Sequence, residues 1–245
     1  MNEQVKFAEV DKLPKKVVFC IPVYPTRPSQ ATIDSIRDSV PAIEAAGWQH
    51  GLIHETGNPY ISAARAVMLR KALDAKATDI MFIDQDISWR PEDMVKLLAT
   101  DGDVVAGTYR FKEPEVTYMG AIYSTVDGTP SVRQSDGAIK AFRIPAGFLR
   151  VTRPAVNFFM SKYPELCYGE YVYPFIDLFN HGAHARQWFG EDYAFSRNWI
   201  DAGKDIWIVP DMNIGHWKGD ECFAGNFHEY LLVQPGGSKD PARSD

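Results

Sequence analysis

Cysteine is scarce: Cys20, Cys167 and Cys222 are the only three in 245 residues, widely spaced and odd in number. That excludes a disulfide scaffold and leaves no Cys-x-x-Cys pair for a zinc ribbon. It fits a reducing compartment, so a cytoplasmic protein is expected. Long apolar runs are also missing, since none approaches the roughly 20 residues of a membrane span. The opening residues lack the basic-then-apolar design of a signal peptide. No basic amphipathic stretch offers an interfacial anchor, so stable membrane insertion is not expected. Positive charge is in deficit, with 26 Lys and Arg against 32 Asp and Glu and a net charge of −6. Broad attraction to nucleic acid is therefore unsupported. Glycine is absent where a phosphate-cradling loop would need it. The first apolar run leads into Pro22-Val-Tyr-Pro-Thr-Arg-Pro.

What is present is an ordinary core-forming composition, 45% hydrophobic and 24% charged. The first half alternates strand and helix patterns. Residues 16–21 (KVVFCI) read as a strand. Ser29 is the N-cap of a helix over 30–46, where Ile33, Ile36, Val40 and Ile43 recur at helical spacing. Residues 48–55 read as a second strand and 61–75 as a second helix. The apolar run 80–83 is a third strand, Pro91 opens a helix through 98, and 103–107 is a fourth strand. A β-α-β-α-β-α-β order implies parallel strands with right-handed crossovers, and ligands beyond their carboxyl ends. The second half is expected to be more antiparallel. Strand patterns fall at 117–123, 138–144 and 147–153, a helix at 155–162, and an extended aromatic stretch at 171–179. Loops are expected at 181–186 and 215–219, a helix at 191–202 and a last strand at 206–209. The sequence shows no internal repeat and no clean linker. The expected organisation is a lead-in over 1–15, one α/β catalytic domain over 16–225, and a flexible tail over 226–245.

Three strand ends aim polar groups at one region: the loop after the first strand, Glu55 after the second, and Asp84-Gln85-Asp86 after the third. Side chains alternate along an extended chain, so Asp84 and Asp86 are expected to point the same way. Two carboxylates at the mouth of a buried strand are best tolerated around a divalent cation, for which Mg²⁺ or Mn²⁺ suits the oxygen donors. The alternative is a pair of solvated acids capping the next helix. Glu191 and Asp192 likewise read either as favourable acids at a helix N-terminus or as reactive carboxylates.

In order, Asp84-Gln85-Asp86, Gly190-Glu191-Asp192 and a later lone His216 resemble the GT-A fold, nucleotide-sugar-dependent glycosyltransferases. The resemblance spans about 16–219, most clearly 58–112, and the first half also looks like the mannosyltransferase branch. It implies a Rossmann-like, mostly parallel central sheet flanked by helices, with a smaller antiparallel acceptor-side part. It also implies a hexosyltransferase that uses a UDP- or GDP-sugar with Mn²⁺ or Mg²⁺. By resemblance, Asp86 ligates the metal, Asp84 contacts the metal or the donor ribose, and His216 is a further ligand on the loop after the last strand. Gln85 belongs to the same donor-binding triplet. Pro22, Val23, Tyr24, Thr26 and Arg27 line the nucleotide pocket, Glu55 accepts from base or ribose, and Arg65 reaches a base or phosphate. Lys218 pairs with the diphosphate. Asp192, with Glu191, deprotonates the acceptor in inverting members and helps bind the sugar in retaining ones.

Other residues read two ways. Ala146-Gly147-Phe148 resembles the turn that approaches the donor sugar, and Arg110 and Lys112 face donor or acceptor. Trp188-Phe189 is either a sugar platform or core packing. The acceptor class stays open among a saccharide, a lipid-linked glycan, a protein and a modified nucleic-acid base. Competing readings are a sugar nucleotidyltransferase, disfavoured by the glycine-free first loop, and a non-catalytic metal- or nucleotide-binding module, or a zinc protein using His181, His184, Cys222 and His228.

Overall fold

Strand β1 (Lys16–Val23, KVVFCIPV) is buried from Val17 onward and mixes β-branched and aromatic residues on both faces, as an interior strand must. A computed structural model describes residues 13–25, 27–125 and 130–233. The expectations for Thr26, for 1–12 and for 234–245 fall outside them. The chain continues through α1 (Gln30–Ala45), β2 (Gln49–Thr56), α2 (Ile61–Asp74), β3 (Asp79–Ile83), β4 (Ile87–Ser88), α3 (Pro91–Ala99) and β5 (Val104–Gly107). Ser29 caps α1, its hydroxyl accepting from the Thr32 N–H at 3.1 Å. Next come β6 (Ala121–Ile122), β7 (Ile139–Arg143), β8 (Phe148–Thr152), α4 (Arg153–Lys162), β9 (Cys167–Tyr168) and β10 (Phe175–Ile176). A hairpin of β11 (Gly182–His184) and β12 (Gln187–Phe189) leads to α5 (Glu191–Asp201), β13 (Ile206–Val209), β14 (Asn213–Lys218), β15 (Glu221–Asn226) and α6 (Phe227–Val233).

The central sheet has the order β2-β1-β3-β8-β5-β13-β7-β6. β1 runs parallel to β2 and β3, and β5 parallel to β13. One face packs against α2, α4 and α5 through Met68, Leu69, Phe159, Phe195 and Trp199. The other packs against α1 and α3 through Ile43, Met94 and Leu97. This is the expected α/β architecture, a mostly parallel sheet between helices with smaller antiparallel sheets beside it. No helix among the described residues is long and apolar enough to cross a membrane.

Five local expectations are corrected. The β-α-β-α-β-α-β run is not continuously parallel, because β8 inserts antiparallel between β3 and β5, with Ile83 opposite Phe148 and Ala106 opposite Leu149. Residues 215–219, expected as a loop, belong largely to β14, and 181–186 form a hairpin. The stretch 171–179 is mostly irregular, with only β10 pairing to β9. The structured chain runs past 225, since α6 follows β15 and buries Phe227 in the core against Tyr118.

The inserted strand also ties down helix ends. Arg150 on β8 is buried, and its guanidinium donates to the carbonyls of Leu97, Leu98, Thr100 and Gly102 at 2.6–3.2 Å. Arg153 donates to Leu73 and Ala77 at 2.7 and 2.6 Å. The two arginines thus satisfy the orphan carbonyls that close α3 and α2, where a cation also suits the helix dipole. Burial lowers the pKa of Arg150 below the usual arginine value, and Asp79, 3.2 Å from its Nε, works against that. Arg150→Met should cost about 3 kcal/mol in urea unfolding, because buried carbonyls and Asp79 lose their partner together. A loss below about 1 kcal/mol would remove the capping role.

Candidate active site

A cleft of about 330 Å³ opens at the carboxyl ends of β1 and β3. Pro22 near the end of β1 and Tyr24 just after it line it, with Asn58, Pro59, Ile61 and Arg65 from the loop and helix after β2. Asp84, Gln85 and Asp86 form its floor, with Tyr109, Lys112, Met119, Glu191 and His216 around them. The sheet brings these residues together from six separate segments.

Asp84-Gln85-Asp86 is a turn rather than an extended strand end. β3 stops at Ile83, and the Ile87 N–H donates to the Asp84 carbonyl at 3.2 Å. The expected alternation therefore fails, and the two acids diverge. Gln85 anchors the turn: its amide donates to the Tyr24 carbonyl at 3.0 Å. Its own carbonyl accepts from the Ser29 N–H and the Thr32 hydroxyl, and its buried Oε1 has no protein partner.

Asp84 turns inward to Arg65. Arg65 is buried on α2, and it donates to Asp84 Oδ1 at 2.9 Å and to Glu191 Oε1 at 3.3 Å. Its Cζ lies 4.9 Å from the centre of the Phe179 ring. Burial opposes its charge, but Asp84, Glu191 and Asp192 outweigh this and hold its pKa above the ordinary arginine value. Burial also raises the Asp84 pKa, an effect that Arg65 opposes and Asp86 reinforces. Gly147, just before β8, sits against the same acid: its carbonyl accepts from the Asp84 N–H at 3.0 Å, and its N–H donates to the Tyr109 hydroxyl at 3.1 Å. A β-carbon at Gly147 would run into both the Tyr109 hydroxyl and the Asp84 carboxylate. Tyr109 is raised well above the ordinary phenol value by burial, then by Asp84 and Asp192.

Asp86 faces the other way. Lys112 donates to its Oδ2, and His216 Nε2 lies 3.8 Å from its Oδ1. β14 delivers His216, pairing it with Ile87 of β4 directly after the acid, while the Trp217 N–H donates to the Asp86 carbonyl at 2.8 Å. His216 Nδ1 lies 2.8 Å from the Arg110 carbonyl, which assigns the ring proton to Nδ1 and leaves Nε2 as a lone pair. That lone pair faces a carboxylate oxygen at a separation too long for a hydrogen bond. Two donors each about 2.1 Å from a shared cation can span it. The pair fits a divalent metal that takes its remaining ligands from outside the chain. Among the described residues no group of three or more His, Cys, Asp or Glu side chains is placed to hold a metal, and Asp84 faces Arg65 rather than the Asp86–His216 pair.

Glu191 and Asp192 open α5, with Gly190 as its N-cap. Asp192 Oδ1 accepts from the Tyr193 N–H at 2.8 Å. Burial, then the neighbouring Glu191 charge, raises the Asp192 pKa to about 7. Other expected residues lie apart from this cluster. Glu55 pairs with Lys71 at 2.9 Å, Arg27 is exposed, and Lys218 is exposed at the end of β14; none lines the cleft. Lys112 instead supplies the ammonium beside the acids. Arg110 donates to carbonyls of the loop it opens and to Ala224. Trp188 is 73% exposed, while Phe189 packs under Arg197 with 4.7 Å between ring centre and guanidinium. Sequence reasoning missed Tyr109, which reads as one more aromatic after a strand. Its sole sequence signal was its place at the carboxyl end of β5.

The raised Asp192 pKa has a signed consequence. Its folded value of about 7 exceeds the ordinary carboxylate value, so the folded state holds a proton that the unfolded chain has released between about pH 4 and pH 7. Stability drawn from that proton is lost as pH rises through 7. Asp192→Asn should therefore be more stable than the parent at pH 8, by roughly 2–4 kcal/mol, and equal to it near pH 4. Thermal melts across that range check this, and a parallel pair of pH curves would contradict it.

No protein-family model matches the sequence, and no curated protein sequence does. Among solved structures the chain is similar to A197 from STIV, at 15% identity over 86% of this chain and 94% of that one, with a TM-score of 0.51. It is similar to GalNAc-T7 with UDP, GalNAc and Mn²⁺ at 13% identity and a TM-score of 0.48. That likeness covers 86% of this chain but 46% of GalNAc-T7. A Drosophila beta-1,4-galactosyltransferase 7 mutant in complex with manganese, UDP-Gal and xylobiose is similar at 11% identity over 93% of this chain and 77% of its own, with a TM-score of 0.45. At these identities the likeness is one of architecture: this chain shares the fold of A197 from STIV, an α/β arrangement with a mostly parallel central sheet between helices, as the GT-A resemblance implies.

Proposed function

We propose that the protein is a glycosyltransferase that moves a hexose from a UDP- or GDP-sugar to an acceptor hydroxyl. The observation that carries this reading is a single cleft in which a buried Arg65 joins the Asp84 turn to Glu191, with Asp86 and His216 paired alongside. Candidate metal donors and Glu191 then share one cavity at the carboxyl ends of the strands, and Asp192, the carboxylate with the near-neutral pKa, is the next residue along. Pro22, Tyr24 and Gln85 form the wall suited to the nucleotide. Asp86 and His216 would hold Mn²⁺ or Mg²⁺, which neutralises charge on a departing diphosphate without proton transfer. Lys112 adds a positive charge on the same side.

Asp192 is the base in this reading. It accepts the acceptor O–H proton as that oxygen bonds to the sugar carbon. The bond from that carbon to the diphosphate oxygen breaks, and its electron pair leaves with the nucleoside diphosphate. A carboxylate poised near pH 7 is a far stronger base than an ordinary one, yet it is still ionised at working pH. Glu191 and Arg65 orient the start of α5 and keep the two acids from separating.

The deciding experiment incubates the protein with UDP- and GDP-sugars and Mn²⁺ or Mg²⁺ and measures released nucleoside diphosphate, with and without saccharide acceptors. Neither turnover nor nucleoside diphosphate binding with any donor would sink the proposal. With an active donor, kcat/KM should climb as pH rises through about 7, the sign for a base that must lose its proton. Asp192→Asn should lose about 10²–10⁴-fold in rate and retain nucleotide binding. Gly147→Ala, whose methyl group displaces Asp84 from its seat, should fall about 100-fold with an unchanged circular dichroism spectrum. Wild-type turnover in that variant would detach Asp84 from the chemistry.

A further inference from the structure

One carboxylate in the cleft serves two cation positions. Asp86 gives Oδ2 to the Lys112 ammonium and turns Oδ1 toward the lone pair of His216 Nε2. Lys112 stands in the loop after β5, fixed by the Phe111 N–H to the Thr117 carbonyl at 3.1 Å and by the Arg110–Tyr118 bridge. Its main chain is therefore held, while its side chain is 28% exposed and borders the cleft. A flexible four-carbon stem lets the charge swing while its root stays put.

We infer that Lys112 is an internal counter-cation: it holds Asp86 when the cleft is empty, is displaced when a divalent metal binds, and moves to the incoming diphosphate. This rests on the nucleotide-sugar reading of the cleft. A metal shared by Oδ1 and Nε2 lies within a few ångströms of an ammonium on Oδ2 of the same acid, and like charges at that range repel strongly in a half-buried site. Metal alone must displace the lysine and leave it without a partner. Metal arriving with a diphosphate brings the anion that takes the lysine over. The two ligands are consequently coupled, each raising affinity for the other, as linkage requires.

The test is calorimetry on the full chain with MnCl₂ alone, with UDP or GDP alone, and with both, comparing the parent with Lys112→Met, which keeps the stem and removes the charge. The variant should bind Mn²⁺ alone about fivefold tighter or more, the factor expected when a competing ion pair of this exposure is lost. It should bind the Mn²⁺–nucleotide pair more weakly, and the coupling should shrink. Unchanged or weaker binding of Mn²⁺ alone overturns the inference. So does metal binding that survives Asp86→Asn, because the metal then sits elsewhere. Tighter Mn²⁺ binding by Lys112→Met with no nucleoside diphosphate bound by either protein would uphold the competition at Asp86. It would also refute the donor reading and with it the transfer of Lys112 to a diphosphate.

Discussion

A single guanidinium, buried where α2 passes beneath the cleft, is the interaction on which the site depends. Arg65 carries a charge that burial opposes, and it is tolerated because Asp84, Glu191 and Asp192 surround it. Those acids in turn are tolerated close together because the cation stands between them. Taking out one member of such a cluster leaves the rest as uncompensated buried charge, which costs more than the pair contributes. The helix that carries Arg65 is suited to it. Ser62, Ala64 and Ala66 are small and buried, so α2 lies close to the sheet, and Phe179 presents its ring to the guanidinium. Through this contact the turn after β3 and the first turn of α5, more than 100 residues apart in the chain, become one structure.

Two antiparallel strands complete what the parallel core begins. β8 enters the sheet between β3 and β5, and so sets Gly147 against Asp84 and Tyr109, where any side chain would collide. The same strand sends Arg150 back to close α3, tying the site's floor to the helix layer below. β14 pairs with β4 immediately after Asp86, which carries His216 to that acid. In both cases main-chain pairing supplies the accuracy that a flexible loop would lack. A histidine held by β14 keeps its Nε2 aimed because Nδ1 is bonded to the Arg110 carbonyl.

The electrostatics divide the cleft into two halves. Around Asp84 the acids are compensated by an arginine that stays charged, so this half is structural and orienting. Around Asp86 the compensation is a partly exposed ammonium on a four-carbon stem and a neutral imidazole, so this half is suited to exchanging one cation for another. Asp192 sits at the border, where burial and Glu191 raise its pKa toward neutrality and Arg65 only partly opposes them.

Much of this was legible in the sequence because it depends on local pattern. Apolar runs of strand length, helical periodicity and caps such as Ser29 define the strand–helix alternation, and the rule that ligands bind beyond carboxyl strand ends places Asp84, Gln85, Asp86 and Pro22 together. The sequence also identified Arg65 by its small neighbours. It could not decide the direction or position of β8, because a short run with four buried residues pairs equally well either way until the rest of the sheet exists. Nor could it show that Asp84 and Asp86 part company, since that follows from a turn closed by the Ile87 N–H on the Asp84 carbonyl and anchored by hydrogen bonds from Ser29 and Thr32, far away in the chain. Glu55 and Lys218 met the same local criteria as Lys112. Only the tertiary structure, by pairing Glu55 with Lys71 and leaving Lys218 in solvent, selected Lys112 for the acid, because which charges meet is a matter of distance in space that no local pattern encodes.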